Sequence, residues 1–600
     1  MVVVFLFNLM CAIVSCDPYY NPPTPGVFVE SSDNSLLTEF ISRTGRNLDG
    51  NESANLMSLT RPPPIVETKI GTLEGYFMKV VNGREVYAFD GIKYAEKPER
   101  FRSPVPKRPW RGVRQAKKPG HLCVQMHGAK LNRVLGHEDC LTLNIYTPQI
   151  PVQDYNPNMS TVIWFHGGSF IFGAGSEYGP AYLLQKDVIL VTVNYRLGVL
   201  GFLSTGDEEN PGNWGLKDQA LAIKWVVDNI SRFGGNPKSI TLMGQSAGAV
   251  TVHLHMMSNM TKHLFQRAVG MSGSAFVGWA VHTPHQARKW AEKLARFMRC
   301  PTSRGTKVMM NCFRTRDPNF LTANLYNLYD IIAFPPVLLR PVIEPDLPGA
   351  FLTLSPKEAY EQNQVAKIPF IASNTREEAD FIRIFLTGFG IFRLWLRHWE
   401  VLGPTMLDYR RITDNTTAVT HAIADFYFNG HETKDIAKIK GQELSRVGTD
   451  RYFNTGNRKT LEYHSKIAPT YSYIFGYKNP KGFANLFGMD HKEYGVSHSE
   501  DVSFIYNSST YWESFDDHNG SLDISKLVVS LFTNFISTGE PLYTSENGTE
   551  HRIWEPVKDP SNPMFLQIDS EVTMISDPVK REMKFWETLG LNDSYAYEYA

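Results

Sequence analysis

The chain has 600 residues, of which 42% are hydrophobic and 20% are charged. Its 61 Lys and Arg residues balance its 61 Asp and Glu residues, so the formal net charge is zero. This composition is that of an ordinary soluble globular protein, and the lack of a basic excess argues against a nucleic-acid partner.

The N-terminus has the pattern of a segment that is removed during secretion. An apolar run extends from Met1 to Val14, which is too short to span a bilayer as a helix, and small residues precede Asp17. We therefore predict a signal peptide over residues 1–16 and a secreted, extracellular protein. Residues 17–65 are rich in Pro, Ser and Asn without hydrophobic periodicity, so they are predicted to form a flexible extension.

The remainder of the chain alternates between strand and helix signals. Residues 71–76 and 85–89 alternate between apolar and polar side chains, which predicts a β-hairpin where the domain begins. Five later apolar runs predict buried parallel strands, at 162–165, 188–193, 240–243, 368–372 and 471–475. A helical pattern over 218–230 separates two of these runs. This order predicts an α/β fold, with a mostly parallel twisted sheet and helices on both faces, over one domain from 66 to 590.

The C-terminal end shows no sign of a membrane anchor. Residues 591–600 form a polar tail, and no second stretch of 18 or more apolar residues occurs. We therefore expect neither a transmembrane helix nor a lipid anchor.

Nine Asn-x-Ser/Thr sequons suit a secreted glycoprotein. They are Asn51, Asn158, Asn229, Asn259, Asn415, Asn507, Asn519, Asn547 and Asn592. Asn229 lies in the predicted helix beside apolar residues, so its modification is the least expected of the set.

Four of the six cysteines lie outside the predicted signal peptide, which is an even number. They are Cys123, Cys140, Cys300 and Cys312. Pairing of sequence neighbours would close two short loops, and we favour it over the two crossed connectivities. A buried free thiol is the alternative for each of them.

A short glycine motif carries the first chemical signal. The residues Gly244-Gln245-Ser246-Ala247-Gly248 follow an apolar strand pattern and precede a helical one. Gly-x-Ser-x-Gly in this context is the nucleophile elbow, in which the glycines allow a sharp reversal and the serine is held exposed. The motif predicts Ser246 as a nucleophile at a helix N-terminus, and the alternative is a glycine-rich loop with an incidental serine.

A second glycine cluster, His166-Gly167-Gly168-Ser169, also follows a strand pattern. Backbone of this kind can turn several N–H groups toward one point, and it resembles the oxyanion-hole loop of lipases and esterases. We predict that the N–H groups of Gly168, Ser169 and Ala247 form an oxyanion hole.

With these two motifs and three further segments, the chain resembles the type-B carboxylesterases, the family that includes the cholinesterases and the insect carboxylesterases. The further segments are residues 136–144, 194–196 and 215–219. The resemblance covers about residues 66–590 and implies an α/β-hydrolase fold and hydrolysis of small-molecule esters. It also implies the two disulfides Cys123–Cys140 and Cys300–Cys312. We expect no metal and no cofactor.

The resemblance supplies an acid for Ser246, since triad members come from distant loops in the order Ser, acid, His. Residues 368–377 are similar to the family segment in which a strand ends before the acid. The resemblance therefore implies Glu377. Glu378, one residue further on, and Asp380 are the alternatives.

The resemblance likewise supplies the general base. Residues 495–498 are similar to the family's histidine loop, in which a glycine lies three residues before the histidine. This implies His498, because nearby His491 lacks that glycine. Ser246 would then attack the ester, His498 would accept its proton and Glu377 would orient the imidazole.

Two positions beside the predicted triad refine the interpretation. Ser272 matches a serine behind the triad, or it is a packing residue. Gln245 stands where cholinesterases and many carboxylesterases have Glu, and in this it resembles the juvenile hormone esterases. The loop between Cys123 and Cys140 has only sixteen residues and no Trp, which disfavours a cholinesterase. We predict a secreted serine carboxylesterase similar to the juvenile hormone esterases.

Two other functions remain open from the sequence. A catalytically silent adhesion or recognition protein would keep the fold, although all three triad positions hold catalytic residue types here. A lipase acting at interfaces would share the elbow, but it would not require the additional family segments.

Overall fold

The structure is a computed structural model that describes residues 61–600, apart from 128–132, 331–336, 389, 429–440, 481, 509, 511–519, 592 and 594–600. The predicted signal peptide 1–16 lies outside the described residues. Nearly all of the predicted extension 17–65 and most of the predicted tail 591–600 lie outside them as well. Everything below belongs to the unit that begins at Pro63.

A twelve-stranded mixed sheet organises the fold. The strands in the described residues are β1 (Ile65–Thr68), β2 (Gly71–Glu74), β3 (Tyr76–Lys79), β4 (Glu85–Lys93), β5 (Val113–Gln115), β6 (Gln125–Met126), β7 (Val134–Leu135), β8 (Thr142–Thr147), β9 (Met159–Phe165), β10 (Val188–Val193), β11 (Gly235–Gln245), β12 (Arg267–Met271), β13 (Phe370–Thr375), β14 (Thr470–Tyr471), β15 (Tyr473–Phe475), β16 (Tyr543–Thr544), β17 (Glu550–His551), β18 (Met564–Ile568) and β19 (Val572–Ser576). The order across the sheet is β19-β18-β15-β13-β12-β11-β9-β10-β8-β4-β3, and β14 also pairs with β13. In this order, every pair of neighbouring strands between β10 and β18 is parallel. The outer pairs, β18–β19, β10–β8, β8–β4 and β4–β3, are antiparallel. The predicted, mostly parallel sheet is confirmed.

Helices cover both faces of this sheet. The α-helices in the described residues are α1 (Gly198–Phe202), α2 (Trp214–Asn229), α3 (Ala247–His255), α4 (Pro284–Phe297), α5 (Thr306–Thr315), α6 (Pro318–Ala323), α7 (Pro356–Glu361), α8 (Asp380–Gly388), α9 (Phe392–Arg397), α10 (Trp399–Met406), α11 (Thr416–Tyr427), α12 (Gly441–Thr449), α13 (Thr455–His464), α14 (Ser521–Thr538) and α15 (Lys580–Thr588). Along β9, Ile163 and Phe165 pack in one core with α2 and α3, whereas Val162 and Trp164 pack in a second core with α14. Because both faces are covered, every residue of β10 is buried, which explains its uninterrupted apolar sequence.

The predicted strand boundaries agree best in the middle of the sheet. β10 spans the predicted residues 188–193. The single strand predicted over 471–475 is instead two strands, β14 and β15, which are separated at Ser472. The Ser472 hydroxyl donates to the carbonyl of Ala372, and its own carbonyl accepts the indole N–H of Trp554. These side-chain hydrogen bonds compete with a continuous ladder at this position.

Both disulfides implied by the resemblance are present. Cys123 pairs with Cys140 at a Cα–Cα distance of 5.0 Å, and Cys300 pairs with Cys312 at 5.7 Å. Within the described ranges, no helix is long and apolar enough to cross a membrane.

Candidate active site

The nucleophile elbow lies at the end of β11. This strand ends at Gln245 and α3 begins at Ala247, so the chain reverses at Ser246. Ser246 has φ 57° and ψ −123°, a strained conformation for a residue that carries a side chain. A Cβ at Gly244 would collide with the backbone of Gly248, and a Cβ at Gly248 would collide with the end of β9. Both glycines are therefore required by close backbone packing.

The second glycine cluster forms the loop after β9, beside the elbow. A Cβ at Gly167 would lie 3.0 Å from Ser246 Cβ, so a larger residue does not fit there. Gly168 and Ser169 both have positive φ, 105° and 52°. No residue in the described part of the chain accepts a hydrogen bond from the N–H groups of Gly168, Ser169 or Ala247. Three N–H groups near the serine are thus available to a bound oxygen.

Glu378, rather than Glu377, contacts the imidazole. His498 Nδ1 lies 2.6 Å from Glu378 Oε2, and the other carboxylate oxygen accepts the N–H of Thr375 at 2.7 Å. The Glu378 side chain is fully buried. Because a carboxylate only accepts, the ring proton resides on Nδ1 and the Nε2 lone pair is left for another donor. The predicted contact between Glu377 and His498 is wrong by one residue.

Glu377 faces the other side of the turn that follows β13. Its carboxylate accepts the N–H of Val496 at 2.7 Å and a hydrogen bond from Arg376 Nε at 3.0 Å. Asp380 accepts the N–H of Gly495 at 2.5 Å. Both carboxylates therefore hold the backbone of the histidine loop, and neither hydrogen-bonds to the imidazole.

One cavity of about 160 Å³ brings most of the predicted site residues together. Ser246 and His498 line it with Gly168 and Ser169, and Ala247 is buried at the start of α3. The rest of the wall is mainly apolar and is formed by Phe172, Tyr178, Trp279, Val337, Phe381, Tyr452, Phe453 and Phe483, together with Gly167, Gln245 and Ser499. A larger cleft of about 690 Å³ lies among charged side chains of α13 and α15 and contains none of the predicted residues.

Two phenylalanines pack against the imidazole. The rings of Phe453 and His498 have centroids 4.7 Å apart, and those of Phe381 and His498 are 5.5 Å apart. These cavity aromatics were not identified from the sequence. They come from separate segments that share no spacing or motif, so no local signal could have found them.

Phe453 lies on a π-helical turn, Asp450–Asn454, that joins α12 to α13. Such turns are rare and are frequent at functional sites. Asp450 is buried and accepts hydrogen bonds from Tyr427 and Asn454, each at 2.7 Å. Burial raises the pKa of Asp450 to about 6. The cavity wall is thus anchored by a buried polar network.

Asp593 anchors the same turn from the C-terminal end. Arg451 is buried, and its guanidinium donates to both Asp593 oxygens at 2.8 and 3.0 Å. Asp593→Ala should lower the free energy of unfolding by about 3–5 kcal/mol, because it removes the carboxylate that neutralises a buried guanidinium. Denaturant unfolding gives the measurement, with Asp593→Asn as the variant that keeps one acceptor. A loss below about 1 kcal/mol for Asp593→Ala, the value of an exposed pair, would contradict this role.

Two buried acids follow His498 in the sequence. Burial raises the pKa of Asp501 to about 7, and Tyr473 donates a hydrogen bond to it at 2.6 Å. Burial likewise raises the pKa of Glu500 to about 8, and its carboxylate accepts the N–H of Phe483 at 2.7 Å. Since Phe483 lines the cavity, Glu500 ties the wall to the histidine loop.

The two positions predicted beside the triad differ in their contacts. Gln245 Nε2 lies 2.9 Å from His498 Nε2 and 2.7 Å from Ser499 Oγ. Ser272 is fully buried with φ 55°, and its N–H donates to the Ser373 carbonyl at 2.8 Å. Its hydroxyl has no hydrogen-bond partner among the described residues. Gln245 therefore contacts the imidazole, whereas Ser272 makes no hydrogen bond to it.

The comparison with protein families decides the class of the protein. A model described as "Carboxylesterase family" matches residues 62–586, most of the chain. The chain belongs to the carboxylesterase family. It is a carboxylic ester hydrolase, as the resemblance implied.

Several insect esterases are similar to this carboxylesterase. Esterase FE4 of Myzus persicae is 33% identical over 549 residues, which cover 89% of this chain and 94% of that protein. Juvenile hormone esterase of Tribolium castaneum is 32% identical over 517 residues, covering 81% of this chain and 85% of that protein. The solved juvenile hormone esterase of Manduca sexta, with OTFP covalently attached, gives a TM-score of 0.75 at 24% identity and covers 88% of this chain and 99% of that one. The predicted α/β-hydrolase fold is confirmed.

Proposed function

We propose that this carboxylesterase works through an acyl-enzyme on Ser246, with His498 as general base and Glu378 as the acid that orients the imidazole. The observation that carries the proposal is the 2.6 Å contact from Glu378 to Nδ1 of a ring that shares one small cavity with Ser246. A ring held in this tautomer keeps its Nε2 lone pair for the serine proton.

The reaction would proceed in two halves. Ser246 Oγ attacks the carbonyl carbon of the ester while its proton passes to His498 Nε2, and the imidazolium then gives that proton to the leaving alcohol. Water repeats the sequence on the acyl-enzyme and releases the carboxylic acid. The oxyanion would bind the N–H groups of Gly168, Ser169 and Ala247, where loss of one donor costs about 100- to 1000-fold in rate.

The cavity wall favours a neutral ester with apolar substituents. None of the described residues that line it is Asp, Glu, Lys or Arg, so a charged substrate group would find no oppositely charged carboxylate, ammonium or guanidinium there. Gln245 and the similarity to a protein named juvenile hormone esterase place that hormone among the esters to be tested.

The proposal is tested by a panel of esters of graded acyl length that includes juvenile hormone and a choline ester. We expect the highest kcat/KM for neutral apolar esters and the lowest for the choline ester, with no turnover by Ser246→Ala. A preference for the choline ester would contradict the assigned substrate class. A folded protein that turns over none of these esters would favour the recognition-protein alternative.

We also propose that the protein is secreted, with residues 1–16 as its signal peptide and 17–65 as a flexible extension. The apolar run from Met1 to Val14 and the nine sequons support this proposal.

The burial of one sequon gives a prediction about glycosylation. Asn229 is 3% exposed, its amide oxygen accepts the N–H of Lys69 at 3.0 Å and its amide nitrogen donates to Trp225 at 2.8 Å. A sugar attached to this buried nitrogen would displace the side chains packed around it, so the mature protein should be unmodified there. Mass spectrometry after enzymatic deglycosylation in heavy-oxygen water gives the answer, with exposed Asn158 and Asn259 as reference sites. A glycan on Asn229 in folded, active protein would refute this prediction.

A further inference from the structure

The Gln245 amide lies between the two loops that bring the reacting groups together. Its Nε2 is within hydrogen-bonding distance of His498 Nε2, at 2.9 Å, and of Ser499 Oγ, at 2.7 Å. Its Oε1 faces the glycine loop, where a Cβ at Gly167 would approach it to 2.5 Å. Gln245 is 3% exposed, so these neighbours leave its amide little freedom to turn.

A hydrogen-bond donor at this position suits the acceptor that the ring presents. Because Glu378 holds the proton on Nδ1, the neutral imidazole presents a lone pair at Nε2 and can only accept there. The Gln245 amide nitrogen carries two hydrogens and faces two acceptors, so this orientation satisfies both. The opposite orientation would set Oε1 against the lone pair. Among the described residues, Gln245 is the hydrogen-bond partner of His498 Nε2, and Ser246 Oγ makes no hydrogen bond to that atom.

We propose that Gln245 is a positioning residue that occupies the Nε2 lone pair of His498 in the resting enzyme and keeps the imidazole neutral until Ser246 takes its place. This inference rests on the proposed function and deepens it. When Ser246 attacks, the bond from the Gln245 N–H to Nε2 breaks and the serine O–H donates to Nε2 instead. The O–H bond then breaks and its proton joins Nε2, while Oγ bonds to the carbonyl carbon and the C=O π electron pair moves onto the carbonyl oxygen as the oxyanion.

Several ionisable groups lie near the imidazole, and the substitutions at Gln245 leave these residues in place. Glu378 approaches from the turn after β13, and Asp501 and Glu500 come from the 3-10 helix after the histidine loop. The aromatic neighbours on α8 and on the π-helical turn carry no charge. Since burial raises the pKa of Asp501 to about 7 and that of Glu500 to about 8, the informative quantity is the difference between the pH profiles of the native protein and its variants.

The decisive variant is Gln245→Glu, which keeps the shape of the side chain but replaces a donor with a charged acceptor. A carboxylate beside Nε2 favours the imidazolium, so the pH at half-maximal kcat/KM should rise by about one unit or more. Activity should recover at high pH, where the ring loses its proton. Gln364→Glu is the matched control, because it adds the same charge at an exposed site beside Lys262 and should keep the native profile.

A second variant keeps the proposal testable if Gln245→Glu does not fold. Gln245→Met fills similar space without a donor, so its half-maximal pH should rise by less than that of the Glu variant but in the same direction. Variants that lose kcat at every pH and keep the native midpoint would show a merely structural role and would overturn the proposal. If the native protein turns over no ester, the proposed function itself fails, whereas an active native protein with unmoved variant midpoints refutes this inference alone.

Discussion

Replacing Glu378 with Gln should reduce kcat by about 10⁴-fold with little change in the thermal midpoint. The amide matches the carboxylate in shape, but it can donate to His498 Nδ1 and so favours the tautomer whose Nε2 carries the proton. That tautomer cannot accept the proton of Ser246. Steady-state kinetics with a chromogenic ester measure the loss, and a thermal melt shows that the variant is folded.

Glu377→Gln is the matched control, since it makes the same substitution one residue earlier. Its amide can still accept the N–H of Val496, and its partner Arg376 is half exposed, so the lost charge pair is worth little. Turnover should stay within about tenfold of the native value, a change of about 1.4 kcal/mol. If Glu377→Gln is crippled and Glu378→Gln is active, the assignment of the acid from this structure is wrong.

The second large effect is expected at the nucleophile, where Ser246→Ala should lower kcat by about 10⁶-fold. The thermal midpoint should stay close to that of the native protein, because the Ser246 hydroxyl contributes to the reaction rather than to packing. Ser246→Gly should be equally inactive but more stable by about 1–3 kcal/mol, since glycine tolerates φ 57° without strain. Ester turnover above the background of a mock preparation by either variant would rule out Ser246 as the nucleophile.

The parts of the site that could be predicted are those in which the local backbone conformation and packing allow only one type of residue. The elbow requires glycines on both sides of Ser246, because any side chain there meets neighbouring backbone, and this constraint leaves a readable motif. The central strands are equally readable, because burial on both faces forces an uninterrupted apolar run such as that of β10.

The acid could not be placed by the same reasoning. Two adjacent glutamates follow β13, and both make hydrogen bonds near the histidine loop. What separates them is the direction of each side chain in the turn, where Glu378 is tied back to the N–H of Thr375. That direction depends on a loop more than a hundred residues further along the chain. It is a tertiary property that a sequence pattern does not encode.

Two further features could not be predicted from the sequence for the same reason. They are the contact between Gln245 and His498 and the aromatic residues that line the cavity. The imidazole is packed by Phe381 from α8 and by Phe453 from a π-helical turn. Neither segment has a sequence motif that indicates that the two lie close together in the fold. Gln245 was singled out by its identity, but its role as a hydrogen-bond donor follows only from the distances.

Covalent labelling with a fluorophosphonate, followed by peptide mapping, tests the identity of the nucleophile most directly. Such a reagent phosphonylates an activated serine beside its base and leaves an unactivated serine unmodified. We expect one equivalent of label on the peptide that contains Ser246, lost in Ser246→Ala and strongly slowed in Glu378→Gln. Labelling at another residue, or no labelling of folded native protein, would contradict the proposed catalytic site.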